Sequence, residues 1–385
     1  MAESRRICVV TGSRADYGLL YPVMKALQSA DDFQLQVIAT GMHLSPEFGL
    51  TYHQIEEDGF NIDARVDSLV SSDDANANSK SVGLGLIGFA DTFSELQPEL
   101  VLLLGDRYEI FAAAQAAMFA RIPLAHIAGG DTSEGAFDEA IRHSISKMAH
   151  IHLVTNHEAQ TRLLQMGEAP EHVHNVGSPA LDRIPELKLL NRQALEQSLG
   201  FHFHKRNLLI THHPVTLARD RGMEEVRALF AALEALGDEV GLIFTKSNAD
   251  VGGQDINRMI DEFAAKHANA VAHTSLGQLR YYSLLAQVDA MVGNSSSGLY
   301  EAPSFKLPAV NIGDRQKGRL KASSVLDCPA DKDAIVNTIQ DAWELDCSDV
   351  QNPYGDGQST QRIMTILRQV PSYAALLHKH FYDLN

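Results

Sequence analysis

Residues 293–303 read GNSSSGLYEAP and follow a short apolar strand, DAMV, 289–292. A glycine, an asparagine and three successive serines at the end of a strand, opening a predicted helix, offer backbone N–H groups, hydroxyls and a positive dipole end to a phosphate. Their small side chains let that phosphate come close. A serine N-cap with a glycine turn accounts for one serine, but not for Ser295, Ser296 and Ser297 with Asn294 in front of them. Glu301, at i+4 to Ser297, is spaced to accept two ribose hydroxyls in parallel. Arg315, in NIGDRQKGR after the next apolar run, supplies positive charge. The stretch holds neither a lysine nor GxGxxG, so it is a cradle for a nucleoside diphosphate of another kind.

The acids concentrate elsewhere. HIAGGDTSEGAFDEAIRH, 126–143, brings Asp131, Glu134, Asp138 and Glu139 behind two glycines, and Asp138 and Arg142 share one helical face at i,i+4. Two readings stand side by side. Asp131 or Ser133 caps a helix and Asp138–Arg142 is an ordinary exposed pair, or the segment supplies acid and base groups to a ligand. GDRYE, 105–109, places Asp106 and Arg107 directly after an apolar strand. Adjacent side chains diverge in an extended chain, so the two do not pair with each other, and burying either unpaired costs several kcal/mol. A ligand at the mouth of the sheet is the simpler explanation. In TGSRADYG, 11–18, Arg14 replaces the glycines of a dinucleotide fingerprint, and strand two ends in TGMH, 40–43, with no acidic residue, which disfavours NAD. Arg14 either pairs with Asp16 on the surface or meets the ligand; His43 is either a loop residue or a ligand contact. His213, before Pro214, is either an acid/base group or a histidine fixed by its neighbour, and His212 leaves that choice open. KSNAD, 246–250, ends another strand and contains Asn248.

These motifs share an address. Apolar runs at Ile7–Val10, Leu35–Ala39, Val101–Leu104, Pro123–Ile127 and Ile151–Val154 alternate with helical patterns such as Tyr21–Ala30 and Glu109–Ala120, which predicts a parallel sheet covered on both faces. A second series, Leu208–Thr211, Gly241–Thr245, Ala270–His273, Ala290–Val292 and Ala309–Ile312, repeats the logic with helices near Met223–Leu236 and Gln254–Lys266. The chain is therefore expected to be α/β, with two Rossmann-like domains facing a central cleft. In such sheets ligands sit beyond the carboxyl ends of the strands, where every motif above lies. NVGSPALDRIPEL, 175–187, holds the expected joint, giving domains 1–178 and 179–360 and a C-terminal helix within 361–385. The polar stretch 67–81 is expected to be a mobile loop.

Composition bounds the partners. At 385 residues the chain exceeds the roughly 150 residues of one ordinary domain. A net charge of −17 argues against nucleic-acid and membrane-surface binding, so positive charge for an anionic ligand must be local. No apolar run approaches a membrane span, the N-terminus enters a strand at once, and three cysteines, Cys8, Cys328 and Cys347, show no metal or redox spacing. A cytoplasmic location with reduced thiols, no cofactor and no metal is expected.

TGSRADYG, TGMH, LGDRYE, HIAGGDTSEGAFDEAIRHSISKMAH, THHPVT, SNAD, GNSSSGLYE and NIGDRQKGR, in this order and spacing, closely resemble the hydrolysing UDP-N-acetylglucosamine 2-epimerases of sialic-acid-type biosynthesis. The resemblance spans residues 5 to 370. It implies the fold of GT-B glycosyltransferases, with the last helix, about 360–382, crossing back to the first domain, and a homodimer. It implies elimination of UDP from a UDP-2-acetamido sugar to a 2-acetamidoglycal, then addition of water to release the free C2 epimer, which is ManNAc when the substrate is UDP-GlcNAc. Asp106, Asp131, Asp138 and His213 match the acid/base set, with Glu134 nearby and Arg142 orienting Asp138. Arg14, His43, Arg107, Asn248, Ser295, Ser296, Ser297, Glu301 and Arg315 match the positions of the UDP and phosphate contacts. The chain departs from the pattern at Ala128, where several relatives carry Glu. UDP-GlcNAc is the expected substrate; the alternative is the same reaction on UDP-2,4-diacetamido-2,4,6-trideoxyglucose of the legionaminic-acid branch, whose 4-acetamido group needs extra room that an alanine helps to provide. A glycosyltransferase of the same fold is the reading of another class, and it leaves the acid-rich 131–139 segment without a task.

Overall fold

The computed structural model describes residues 4–70, 75–132, 138–214, 222–246 and 253–384. Glu134 and Asn248 lie outside them. The chain divides into two compact units, 1–183 with 354–385, and 184–353; the division follows Arg183, where the sequence placed the joint after Ser178.

Unit 1 is a parallel sheet of β1 (Arg5–Thr11), β2 (Phe33–Thr40), β3 (Ala64–Val66), β4 (Leu100–Leu104), β5 (Leu124–Ile127), β6 (Ile151–Val154) and β7 (Val173–Asn175), in spatial order β3-β2-β1-β4-β5-β6-β7. Unit 2 contains β8 (Arg206–Thr211), β9 (Val240–Thr245), β10 (Ala270–His273), β11 (Ala290–Gly293), β12 (Ala309–Ile312) and β13 (Val325–Cys328), in order β10-β9-β8-β11-β12-β13. All the pairings are parallel, so crossovers place helices on both faces, and the central strands are apolar throughout rather than alternating. The strand order reverses between β1 and β4 in unit 1 and between β8 and β11 in unit 2. Such a switch point opens a crevice at the carboxyl ends of the strands.

The ten expected strands are present. β3, β7 and β13 are short edge strands whose three or four residues carry no sustained apolar run. Two expectations need correction. The stretch 67–81 is not a loop throughout, because a helix, Ala75–Leu96, begins inside it and packs on Tyr108–Phe119. Its polar first turns hide a later apolar face, Phe89 and Phe93, which are fully buried. The last helix is Ser359–Gln369, shorter than 360–382; Pro371 removes a backbone donor, and only one 3-10 turn, Ala374–Leu377, follows. That helix groups with unit 1, crossing back to pack on the helix Arg14–Gln28, with Ile363, Met364 and Leu367 buried in the unit 1 core. No helix among the described residues is long and apolar enough to cross a membrane.

Candidate active site

In unit 1 the switch point brings TGSR after β1 against GDRYE after β4. Arg107 stands between two carboxylates: its Nε donates to Glu109 Oε1 at 2.5 Å and lies 4.0 Å from Asp16 Oδ2, while Nη2 reaches Met42 Sδ at 3.3 Å. Burial alone would lower the Arg107 pKa, but Glu109 and Asp16 outweigh it and raise it. The Asp16 carboxyl is pushed up to about 6, by burial first, against the pull of Arg107 and with the repulsion of Glu109. Asp16 Oδ2 and Glu109 Oε2 are buried without a hydrogen-bond partner. The surface pair Arg14–Asp16 does not form: Arg14 is exposed on the first turn of its helix, and the cation nearest Asp16 is Arg107. The sequence offers Asp16 only as a surface partner of Arg14 and gives Glu109 no role, although each stands within a quoted motif. A buried acid behind a small-residue turn was the available signal.

Glu109 also explains two glycines. A Cβ at Gly12 would lie 2.5 Å from Glu109 Oε1, and one at Gly41 3.1 Å from the same atom. The carboxyl fills the space where those side chains would be. His43 is fully buried, with Nε2 3.0 Å from Thr11 Oγ1 and Nδ1 2.8 Å from Thr51 Oγ1. Both ring nitrogens are thus engaged inside unit 1, and burial pushes its pKa down to about 4.

Arg142 joins the acid segments. One guanidinium nitrogen bonds the Asp106 carboxylate, and Nη1 donates to the Asp131 carbonyl at 2.8 Å. Its helix, Asp138–Met148, buries Arg142, Ile145 and Ser146, a spacing that turns one stripe inward. Asp138 opens that helix, and its pKa is raised by burial and by the charge of Asp106, against Arg142. The Asp131 carboxylate accepts from Thr155 Oγ1 (3.1 and 3.2 Å) and Asn156 Nδ2 (2.9 Å) beyond β6, a structural anchoring that neither earlier reading contained. Gly129 lies over a buried bond between His126 Nδ1 and Ser146 Oγ (3.1 Å), with no space for a Cβ. Ala128 adopts φ 61°, left-handed backbone that costs a non-glycine residue roughly 1 kcal/mol.

In unit 2 the switch point joins THHP after β8 to GNSSS after β11. Asn294, fully buried, is the tie: its Oδ1 accepts the His213 N–H (2.7 Å), and its Nδ2 donates to the His213 carbonyl (2.9 Å) and lies 3.3 Å from His212 Nε2. Its own carbonyl accepts from Gln316 Nε2 (2.8 Å) and Arg315 Nη1 (3.2 Å). One residue therefore fixes three of the loops named in the sequence. His212 turns inward toward Glu225, 3.6 Å away. Burial, with Arg315 adding, pushes the His213 pKa down to about 4. The helix expected after GNSSS is one turn only, Ser297–Tyr300, before Pro303 enters a 3-10 turn, so the dipole argument for a phosphate site there weakens. Tyr281 O–H donates to Ser297 Oγ at 2.6 Å, Ser297 bonds Glu301, and Glu301 Oε2 has no partner although buried; its pKa is raised by that burial. Tyr281, sixteen residues before Ser297 on the helix Gly277–Leu285, was missed because nothing local marks it.

Comparison with known proteins agrees with this architecture. The UDP-N-acetylglucosamine 2-epimerase family profile matches residues 25–368. The chain is 40% identical over 392 aligned residues to a GDP/UDP-N,N'-diacetylbacillosamine 2-epimerase (hydrolyzing) of Campylobacter jejuni, covering 99% of this chain and 100% of the relative. It is 36% identical to a UDP-N,N'-diacetylbacillosamine 2-epimerase (hydrolyzing) of Legionella pneumophila, covering 97% and 98%. In fold it is similar to the crystal structure of UDP-GlcNAc 2-epimerase from Neisseria meningitidis bound to UDP-GlcNAc, with TM-score 0.79 at 18% identity over 94% of this chain and 100% of that one. With a family profile covering most of its length and relatives above 35% identity end to end, the chain belongs to the UDP-N-acetylglucosamine 2-epimerase family.

Proposed function

We propose that the chain is a hydrolysing 2-epimerase of a UDP-2-acetamido sugar. The H2 proton leaves C2 as the C1–O bond to UDP breaks, giving the 2-acetamidoglycal; water then adds its hydroxyl to C1 while a proton returns to C2 on the other face. The observation that carries this reading is Arg142, which holds Asp106 and the Asp131 carbonyl beside Asp138, a carboxyl of raised pKa. Proton removal and return need carboxyls whose environments differ, and the burial and the Asp106 charge that raise the Asp138 pKa favour the acid role for it. Asp131 is assigned the anchoring of that group and His213 a neutral acid/base role. Ser295, Ser296, Ser297 and Arg315 hold the diphosphate, Glu301 the ribose, and Arg14 and Arg107 add positive charge, stabilising the leaving group as it departs. His43 supports the wall; Glu134 and Asn248 keep the roles their positions in the motifs suggest. Replacing Asp138→Asn should lower kcat by about 10²–10⁴ with KM changed far less.

Of the two sugars, the reading favours UDP-2,4-diacetamido-2,4,6-trideoxyglucose over UDP-GlcNAc. The Campylobacter and Legionella relatives are named for that diacetamido sugar, and Ala128 offers a small side chain at the position where the family resemblance implies Glu. Proton NMR with each sugar in D2O decides. Release of UDP with deuterium at C2 of the free epimer is expected, faster from the diacetamido sugar. Turnover of UDP-GlcNAc alone would return the chain to the sialic-acid branch, and UDP release only with an added acceptor would make it a transferase. A homodimer in the cytoplasm completes this reading, and sedimentation equilibrium and cell fractionation test it.

A further inference from the structure

The tail beyond Pro371 carries none of the motifs, yet Lys379 in it is heavily committed. Its Nζ donates to Glu168 Oε2 at 2.6 Å, to the Lys147 carbonyl at 2.8 Å and to the Ala149 carbonyl at 2.7 Å, the full complement of an ammonium group. Glu168 is 1% exposed and also accepts from Lys147 Nζ (2.9 Å) and His152 Nε2 (2.7 Å). Burial alone would raise the Glu168 pKa, but the hydrogen bonds of His152 and Lys379 outweigh it and hold the carboxyl at about 2. Around this bond the tail is seated by Tyr382 N–H on the Gly167 carbonyl (2.9 Å) and by the Phe381 ring, which lies against Gly167 and 4.6 Å from Lys147 Nζ.

The two carbonyls that Lys379 takes end the helix Asp138–Met148. The last carbonyls of a helix lack intrahelical partners and form its negative pole, so a cation there holds the end firmly. The same helix begins with Asp138, bears Arg142 bonded to Asp106, and bonds through Ser146 to His126, whose Nε2 lies 2.7 Å from the Gly105 carbonyl beside Asp106. The helix is about 16 Å long at 1.5 Å per residue, so a tilt of about 4° about its clasped end displaces its first turn by about 1 Å. Displacement of that size at a reacting group can cost about 10²-fold in rate.

We propose that Lys379 is a positioning residue, which clasps the C-terminal end of the helix Asp138–Met148 and so holds Asp138 and Arg142 against Asp106; its effect on turnover rests on the function proposed above. The test uses Lys379→Met and a chain ending at Ser372, each checked for folding by thermal unfolding. Hydrogen exchange of the amides of 141–149, well below the melting temperature, should rise at least tenfold in Lys379→Met. With UDP-sugar, kcat should fall about tenfold while KM stays within twofold. If the truncated chain fails to fold, Lys379→Met carries the test alone. Unchanged exchange in 141–149, or a change in KM with kcat intact, overturns the clasp. Because exchange does not depend on turnover, a wild-type protein that released no UDP would sink the proposed function while the exchange result still decided the clasp.

Discussion

Asp16 and Glu109 share the single guanidinium of Arg107, and the sharing has a sign that can be measured. The folded pKa of Asp16, about 6, lies above the ordinary carboxyl value. At pH 3 the group is neutral in both states. Between pH 4 and 6 the folded protein holds a proton that the unfolded chain has released, so stability falls as pH rises, and above pH 6 the whole cost is present. Asp16→Asn should therefore stabilise the protein by about 3 kcal/mol at pH 8 and by almost nothing at pH 4, as urea denaturation at the two pH values will show. The buried histidines run the other way. His43 and His213 are pushed to about 4 and His126 and His212 to about 3, each chiefly by burial. Below pH 6.5 the unfolded chain takes up protons these rings refuse. Each should cost about 1–2 kcal/mol as pH falls from 7 to 5, read as a drop in the urea midpoint that His213→Asn partly removes.

At the scale of elements, β8 and β11 meet through Gly293 and Asn294. Gly293 has φ 135°, and a Cβ there would lie 1.9 Å from the Thr211 carbonyl oxygen. The next residue then turns inward and satisfies both backbone groups of His213. Removing that side chain leaves a buried N–H and a buried carbonyl unpaired, at about 1–3 kcal/mol each. Asn294→Ala should lose about 2–4 kcal/mol of stability in urea unfolding, and bound UDP should restore only part of it. This is also where local reading of the sequence was least complete. The serines after β11 suggest a phosphate cradle from the sequence because three small hydroxyl residues stand together at a strand end. That Asn294 serves THHP, some eighty residues earlier, was not legible, since parallel neighbours are distant in sequence.

For the whole molecule, two units that each hold apolar clusters of their own predict separable unfolding. Trp343, the single tryptophan, lies on the helix Lys332–Glu344 in unit 2, packed on the core of that unit with Arg206 5.7 Å from its ring. Its fluorescence thus reports unit 2, while far-ultraviolet circular dichroism reports both units. The two transitions should not coincide in urea. UDP at a hundred times its Kd should move the fluorescence transition by about 2.7 kcal/mol and the remaining dichroism signal by less. Equal shifts in both would place the nucleotide contacts elsewhere than in unit 2.

The sequence by itself determined the α/β class, ten of the strands, the positions of the motifs at strand ends and the family, because apolar runs, turn residues and motif order are local properties of the chain. The end of the last helix at Gln369 follows locally from Pro371, whereas the edge strands β3, β7 and β13 were decided by pairing with residues far away. So were the partners of the site: Glu109 between Gly12 and Gly41, Asn294 across β8 and β11, and Lys379 on the far end of the helix that carries Asp138 and Arg142. A side chain's type shows what it can bond. Only the fold brings its partner within 3 Å, and in a parallel sheet that partner comes from the far side of a crossover or from the end of the chain.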